Sequence, residues 1–87
     1  MDKEYYVYLL RCGDNSLYCG YTDDLKKRVG LHKSGRGAKY TKSHLPVELA
    51  YYEKYDTKHD AMSRERFIKK MTKQKKEELA AGFKNLS

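Results

Sequence analysis

The stretch VYLLRCGDNSLYCGYTDDLKKRVGLH, Val7–His32, decides the reading of this chain. Tyr5–Arg11 (YYVYLLR) and Leu17–Thr22 (LYCGYT) are runs of aromatic and β-branched residues, the composition of strands, and CGDNS between them carries turn chemistry. The two runs therefore form a hairpin. Side chains alternate between the faces of a strand, so the loop length decides which of them meet. A three-residue loop of Gly13, Asp14 and Asn15 sets Tyr8 opposite Gly20 and Tyr18 opposite Leu10. The two phenols then lie diagonally on one face, roughly 7–8 Å apart at the backbone. Gly20 is expected to leave the space over Tyr8 open to a ligand.

The hairpin leads directly into a helix. Thr22 or Asp23 is placed to cap it, it runs to about Ser34, and Gly35 is a natural stop. Leu25 and Val29, four apart, mark its buried stripe. Arg28 and His32 flank that stripe, a costly place for a guanidinium unless an anion meets it. Beyond it, SGRGAKYTKSHLP (Ser34–Pro46) has no apolar period and carries Arg36, Lys39, Lys42 and His44. It reads as a long ordered loop, and such loops in compact domains are commonly functional.

Val47–Tyr55 alternates loosely and is expected to be a third strand. Thr57 opens a helix with Asp60 as its capping partner, and Ala61, Met62, Phe67, Ile68 and Met71 form its apolar set. Glu65, four after Ala61 and three before Ile68, shares their side. Thr72 caps a last helix through Ala81, closed by Gly82, with Leu79, Ala80 and Phe83 on its buried side. Lys69, Lys70, Lys73, Lys75 and Lys76 read as a solvated face. The order is thus β-β-α-β-α-α, a small α/β chain of the α+β class with a three-stranded antiparallel sheet flanked by helices.

At 87 residues the chain is expected to be one domain, residues 1–87. No apolar run approaches the ~20 residues of a membrane span, and the start, MDKE, has no apolar signal core, so no membrane partner is expected and a cytoplasmic protein is. A net charge of +7 favours polyanionic partners, nucleic acid foremost. Cys12 and Cys19 match neither a zinc nor a redox spacing and read as reduced packing residues. The histidines are too scattered to complete a zinc site with them.

Polar side chains thus stand where a purely structural chain prefers apolar ones: Tyr8 with Tyr18, Arg28 with His32, and Glu65. Each has an ordinary explanation, since strand tyrosines pack, helical histidines are often structural, and an Arg28–Glu65 salt bridge would account for both charges. Their coincidence in so short a chain argues instead for one solvent-reachable hollow around which all five converge.

The YVY of the first strand, the YCG of the second, the following YTDDLKKRVGLH and the later AMSRERFIKK resemble the GIY-YIG nuclease domain. SGRGAKYT is similar to the small stand-alone bacterial members of that family. The likeness covers nearly the whole chain in order. It implies metal-dependent endonucleolytic hydrolysis of nucleic-acid phosphodiesters, DNA ahead of RNA, with little sequence specificity and no statement on oligomeric state. By matching position, Tyr8 and Tyr18 are the two motif tyrosines, Arg28 and His32 the arginine and histidine, and Glu65 the ligand of one Mg²⁺ or Mn²⁺. Tyr6 and Val7 replace the glycine and isoleucine of the first motif, and Cys19 replaces the isoleucine of the second. A late asparagine used by some members has no secure counterpart, Asn85 standing near the end.

On this reading Tyr8 is the base that activates water, His32 removes its proton, Tyr18 orients water or phosphate, and Arg28 holds the phosphate. Arg36, Lys39 and Lys42 contact the backbone, and Tyr40 stacks on a base. A free phenol titrates near pH ~10, so a phenolate near pH ~7 needs about 4 kcal/mol of preference for the charged form. Arg28 and the metal are expected to supply most of it. The runner-up is a nucleic-acid binder that keeps the fold without cleaving, and the third is an interaction module in which these side chains form a buried network.

Overall fold

The structure, a computed structural model, describes residues 3–85. Its elements are β1 (Tyr5–Arg11), β2 (Leu17–Thr22), α1 (Leu25–Lys33), α2 (Lys39–Lys42), β3 (Glu48–Tyr55), α3 (Lys58–Lys69) and α4 (Lys73–Asn85). The three strands form one antiparallel sheet in the order β2-β1-β3. Both hairpin strands have the expected bounds, and the register pairs Tyr8 with Gly20 and Leu10 with Tyr18. The turn closes through Cys12 N–H to Ser16 O at 2.9 Å and Asn15 N–H to Cys12 O at 2.9 Å. Asn15 takes φ 70, a left-handed conformation that asparagine tolerates.

Alternation along this register separates two clusters. Val7, Leu9, Leu17 and Cys19 bury one face against Ala61 and Ile68 of α3. Tyr8 and Leu10, with Cys12 and Val47, bury the other, where Leu25 and Val29 of α1 pack. A bulge in β3 pairs Leu9 with Tyr51 but Leu10 with Leu49. It turns Ala50 and Tyr51 together towards the α3 side and returns Leu49 to the α1 side, which is why this strand alternates only loosely. Glu53 fastens β3 to α3, accepting from Arg64 Nε at 2.9 Å and Nη2 at 3.0 Å as well as from the Tyr51 and Tyr55 hydroxyls. Arg11 fastens β1 to α4 by a forked pair with Glu77.

Several expectations are corrected. The α1 cap is Asp24, whose carboxylate accepts from Lys27 N–H at 3.2 Å, while Thr22 Oγ1 accepts from Asp24 N–H at 3.1 Å. The segment after α1 is not wholly loop, since Lys39–Lys42 makes one helical turn. Phe67 is no core residue. It is 59% exposed, about 120° around the helix from Ala61, with the Arg64 guanidinium 5.3 Å from its ring centroid. Helix α4 continues through Gly82 to Asn85 because Phe83 sets its ring edge against Tyr51 and Tyr52, at 5.7 and 5.3 Å. Thr57 and Thr72 cap α3 and α4 as expected, accepting from Asp60 N–H at 3.1 Å and Lys75 N–H at 3.2 Å. Cys12 and Cys19 are buried free thiols, and among the described residues no helix is long and apolar enough to cross a membrane.

Candidate active site

Tyr8 sits in mid-strand on β1, and its ring crosses over β2. A Cβ on Gly20 would lie 2.5 Å from the Tyr8 hydroxyl and 2.7 Å from Cζ, so only glycine fits beneath it. The room left by the missing Cβ of Gly20 is taken by the Tyr8 ring itself. The phenol continues to His32 of α1, its hydroxyl 2.9 Å from Nε2. The other ring nitrogen, Nδ1, lies 2.8 Å from Thr41 Oγ1, and that hydroxyl spends its one proton on Ala38 O at 3.1 Å. With the Thr41 proton assigned to Ala38 O, its oxygen accepts from Nδ1–H, the tautomer in which Nε2 accepts from Tyr8.

This hydrogen-bonded chain is almost fully buried. Tyr8 is 2% exposed, His32 1% and Thr41 0%. A Cβ on Gly37 would fall 2.5 Å from the His32 ring, so the backbone of the loop is pressed against the imidazole. Burial pushes the Tyr8 hydroxyl well above the usual phenol range, with Tyr18 adding to it and Arg28 pulling the other way. Arg28 by itself does not offset the burial of the phenol. Burial, with Arg28 second, also lowers the pKa of His32, which keeps the imidazole uncharged near neutral pH.

Tyr8, Tyr18, Gly20, Arg28, His32 and Glu65 all line one open hollow of about 490 Å³. Its shape follows from the sheet. Strand β2 is an edge, and the hollow straddles it: the phenols, Arg28 and His32 stand on the α1 side, while Glu65 comes from α3 on the opposite face. The Cys19 thiol, 3.9 Å from the Glu65 carbonyl oxygen, holds this part of α3 to β2. The Glu65 side chain is 17% exposed and faces Lys69 at 3.5 Å. Arg28 is exposed and makes no ion pair with Glu65, so its position carries no burial cost. Its side chain lines the hollow.

Tyr18 contributes a ladder of rings. Its centroid is 5.3 Å from that of His32 and 5.9 Å from that of Tyr40, and Tyr40 stacks on His44 at 4.1 Å. Tyr40 is thus already stacked within the protein, and its hydroxyl donates to Ser16 at 2.8 Å. Arg36, Lys39 and Lys42 are exposed and do not line the hollow, and the Asn85 side chain lies outside the described residues. Two residues the sequence reading passed over, Thr41 and Gly37, hold His32 in place. The SGRGAKYT segment that contains them stands out in sequence for its cations, for Tyr40 and for its family likeness, none of which points to Thr41 or Gly37.

A family model described as the GIY-YIG catalytic domain matches residues 4–78, and the chain belongs to the GIY-YIG family, a family of nuclease domains. Among small relatives, it is 49% identical over 80 residues to the UPF0213 protein HQ_3675A of Haloquadratum walsbyi, covering 92% of this chain and 90% of that one. Two solution NMR structures share the fold. The protein EF2693 from E. faecalis has a TM-score of 0.62 at 38% identity, covering 100% of this chain and 94% of that one. The UPF0213 protein BH0048 from Bacillus halodurans has a TM-score of 0.58 at 41% identity, covering 90% and 83%.

Proposed function

We propose that this protein, acting in the cytoplasm as a single domain over residues 1–87, is a metal-dependent endonuclease that hydrolyses nucleic-acid phosphodiesters with little sequence preference. One observation carries the reading. The Tyr8 hydroxyl donates to Nε2 of a buried, neutral His32 at the wall of an open hollow that Arg28 and Glu65 also line. Family membership supports the same class of chemistry.

Hydrolysis needs a water in line with the leaving oxygen, an acceptor for its proton, and cations for the phosphoryl charge. Tyr8 takes the proton from water as its own hydroxyl proton passes to His32 Nε2. No free phenolate accumulates, so the raised pKa of the buried phenol is no obstacle. The lowered pKa of His32 keeps its lone pair available for that transfer. Tyr18 orients the water or the phosphate by hydrogen bonding, and Arg28, which has no ion pair among the described residues, offers a forked donor to the phosphate.

Among the described residues no three His, Cys, Asp or Glu side chains gather into a cage for a metal ion. A single carboxylate, Glu65, facing open space suits Mg²⁺ or Mn²⁺, which keep several waters and share phosphate oxygens. Such an ion, when bound, stabilises charge on the phosphoryl and leaving oxygens. Lys69 lies 3.5 Å from the Glu65 carboxylate that would hold the ion.

The test is incubation with branched, nicked and single-stranded DNA and RNA, with Mg²⁺ or Mn²⁺, beside a Glu65→Ala control. Product that depends on both metal and Glu65 supports the reading. One observation favours a second reading, binding without cleavage: Tyr8 is almost fully covered. That reading expects salt-sensitive binding and no product at any metal concentration.

A further inference from the structure

The hollow extends past the residues given roles above. On the α3 side of β2 it continues along Tyr5 and Tyr21 to Lys58, the first residue of α3. Four cations stand at or beside this space. Lys3 is paired with Asp23 at 3.1 Å, and Lys69 with Glu65 at 3.5 Å. Lys58 and Arg28 make no ion pair among the described residues. Lys58 is exposed, so nothing in its own packing occupies the ammonium group.

The two unpaired cations sit on opposite faces of the sheet, Arg28 on α1 and Lys58 on α3, with the edge strand β2 between them. A single anion held by Arg28 beside the phenols leaves Lys58 unused. A chain of phosphates laid across the edge of β2 meets both. We infer that Lys58 is a positioning residue that contacts a second backbone phosphate, so that the nucleic acid crosses β2 from the α1 side to the α3 side. The inference rests on the nucleic-acid reading of this hollow but not on cleavage.

Binding without metal therefore tests it separately from hydrolysis. Affinity for a labelled DNA oligonucleotide is measured against salt for the wild type, Lys58→Ala, Lys58→Arg and Lys33→Ala. Lys33, on the groove between α1 and β3, serves as the charge-matched control. Loss of one phosphate contact reduces the slope of log affinity against log salt by about 0.7–0.9. Lys58→Ala is expected to show that reduction and binding about two- to fivefold weaker at low salt, as for an exposed ion pair. Lys58→Arg is expected to restore both and Lys33→Ala to change neither, with melting temperatures unmoved. Where the wild type cleaves, Lys58→Ala raises KM and leaves kcat within about twofold.

Equal slopes for Lys58→Ala and Lys33→Ala overturn the inference, and so does a wild type that binds no nucleic acid. Binding with the expected slopes but without product sinks the hydrolytic proposal alone.

Discussion

Tyr8 and Gly20 face each other across the β1–β2 ladder, and the absence of a side chain on Gly20 is what lets the Tyr8 ring lie over β2 and reach His32. Both the geometry of the hollow and the stability of this face depend on that one missing methyl. Gly20→Ala is expected to displace the phenol, destabilise the fold by about 1–3 kcal/mol through overpacking, and abolish cleavage. Gly30→Ala is the control. Its Cβ would meet nothing within 4 Å on α1, and removing a helical glycine is expected to stabilise by about 0.5–1 kcal/mol. Thermal melts of the two variants should therefore move in opposite directions.

Tyr8→Phe keeps the ring and removes the donor to His32 Nε2. Folding should survive with a loss of about 1–3 kcal/mol, the cost of leaving the buried Nε2 acceptor without a partner. The cleavage rate should fall at least about a hundredfold, the lower share of a general base. A variant that cleaves at the wild-type rate would move the role of base away from Tyr8.

Thr41→Val removes the acceptor that holds Nδ1–H of His32 while nearly keeping shape. A buried donor left without a partner costs about 1–3 kcal/mol. Chemical denaturation measures that loss. ¹⁵N spectra of the wild-type imidazole should show Nδ1 protonated, and a protonated Nε2 would reverse the assigned direction of the Tyr8–His32 bond.

Stability should depend on pH through His32. Its pKa is lowered in the folded protein by burial and then by Arg28, from 6.5 in the unfolded chain. Between the two values the unfolded state binds more protons, so stability rises with pH there. The contribution is complete above pH 6.5 and is lost as pH falls below it towards the folded value. Unfolding free energies at pH 7.5, 6.5 and 5.5 should show this loss in the wild type and a smaller one in His32→Gln. The cleavage rate should fall over the same range, because a protonated imidazole cannot accept from Tyr8.

Glu65→Ala should eliminate the response of cleavage to Mg²⁺ while leaving the melt nearly unchanged, since the carboxylate's recorded ion pair is the one with Lys69 on its own helix. Titration of Mg²⁺ in the cleavage assay reads this directly, and an unchanged metal requirement would remove Glu65 from metal binding.

Much of the fold was legible because it is locally encoded. Period-two alternation and the CGDNS turn specified the hairpin and its register, and Thr57 and Thr72 announced their helices by capping chemistry. The misread positions have different causes. Gly82 reads as a stop, yet the contacts of Phe83 with Tyr51 and Tyr52 carry α4 beyond it. Phe67 reads as core by composition, although its helical phase turns it outward. Thr41 and Gly37 could not be recognised as supports for His32, because their partnership exists only where the loop folds back on α1.

The sequence by itself determined that Tyr8 and Tyr18 share a sheet face and that His32 falls on the inner side of the helix that follows, because strand and helix periodicities are properties of neighbouring residues. Only the tertiary structure decided that Glu65, from the opposite layer, opens onto the same hollow across the edge of β2, and that burial raises the pKa of the Tyr8 phenol. Those outcomes depend on how whole elements pack and on how much water they exclude, and no local periodicity carries that information.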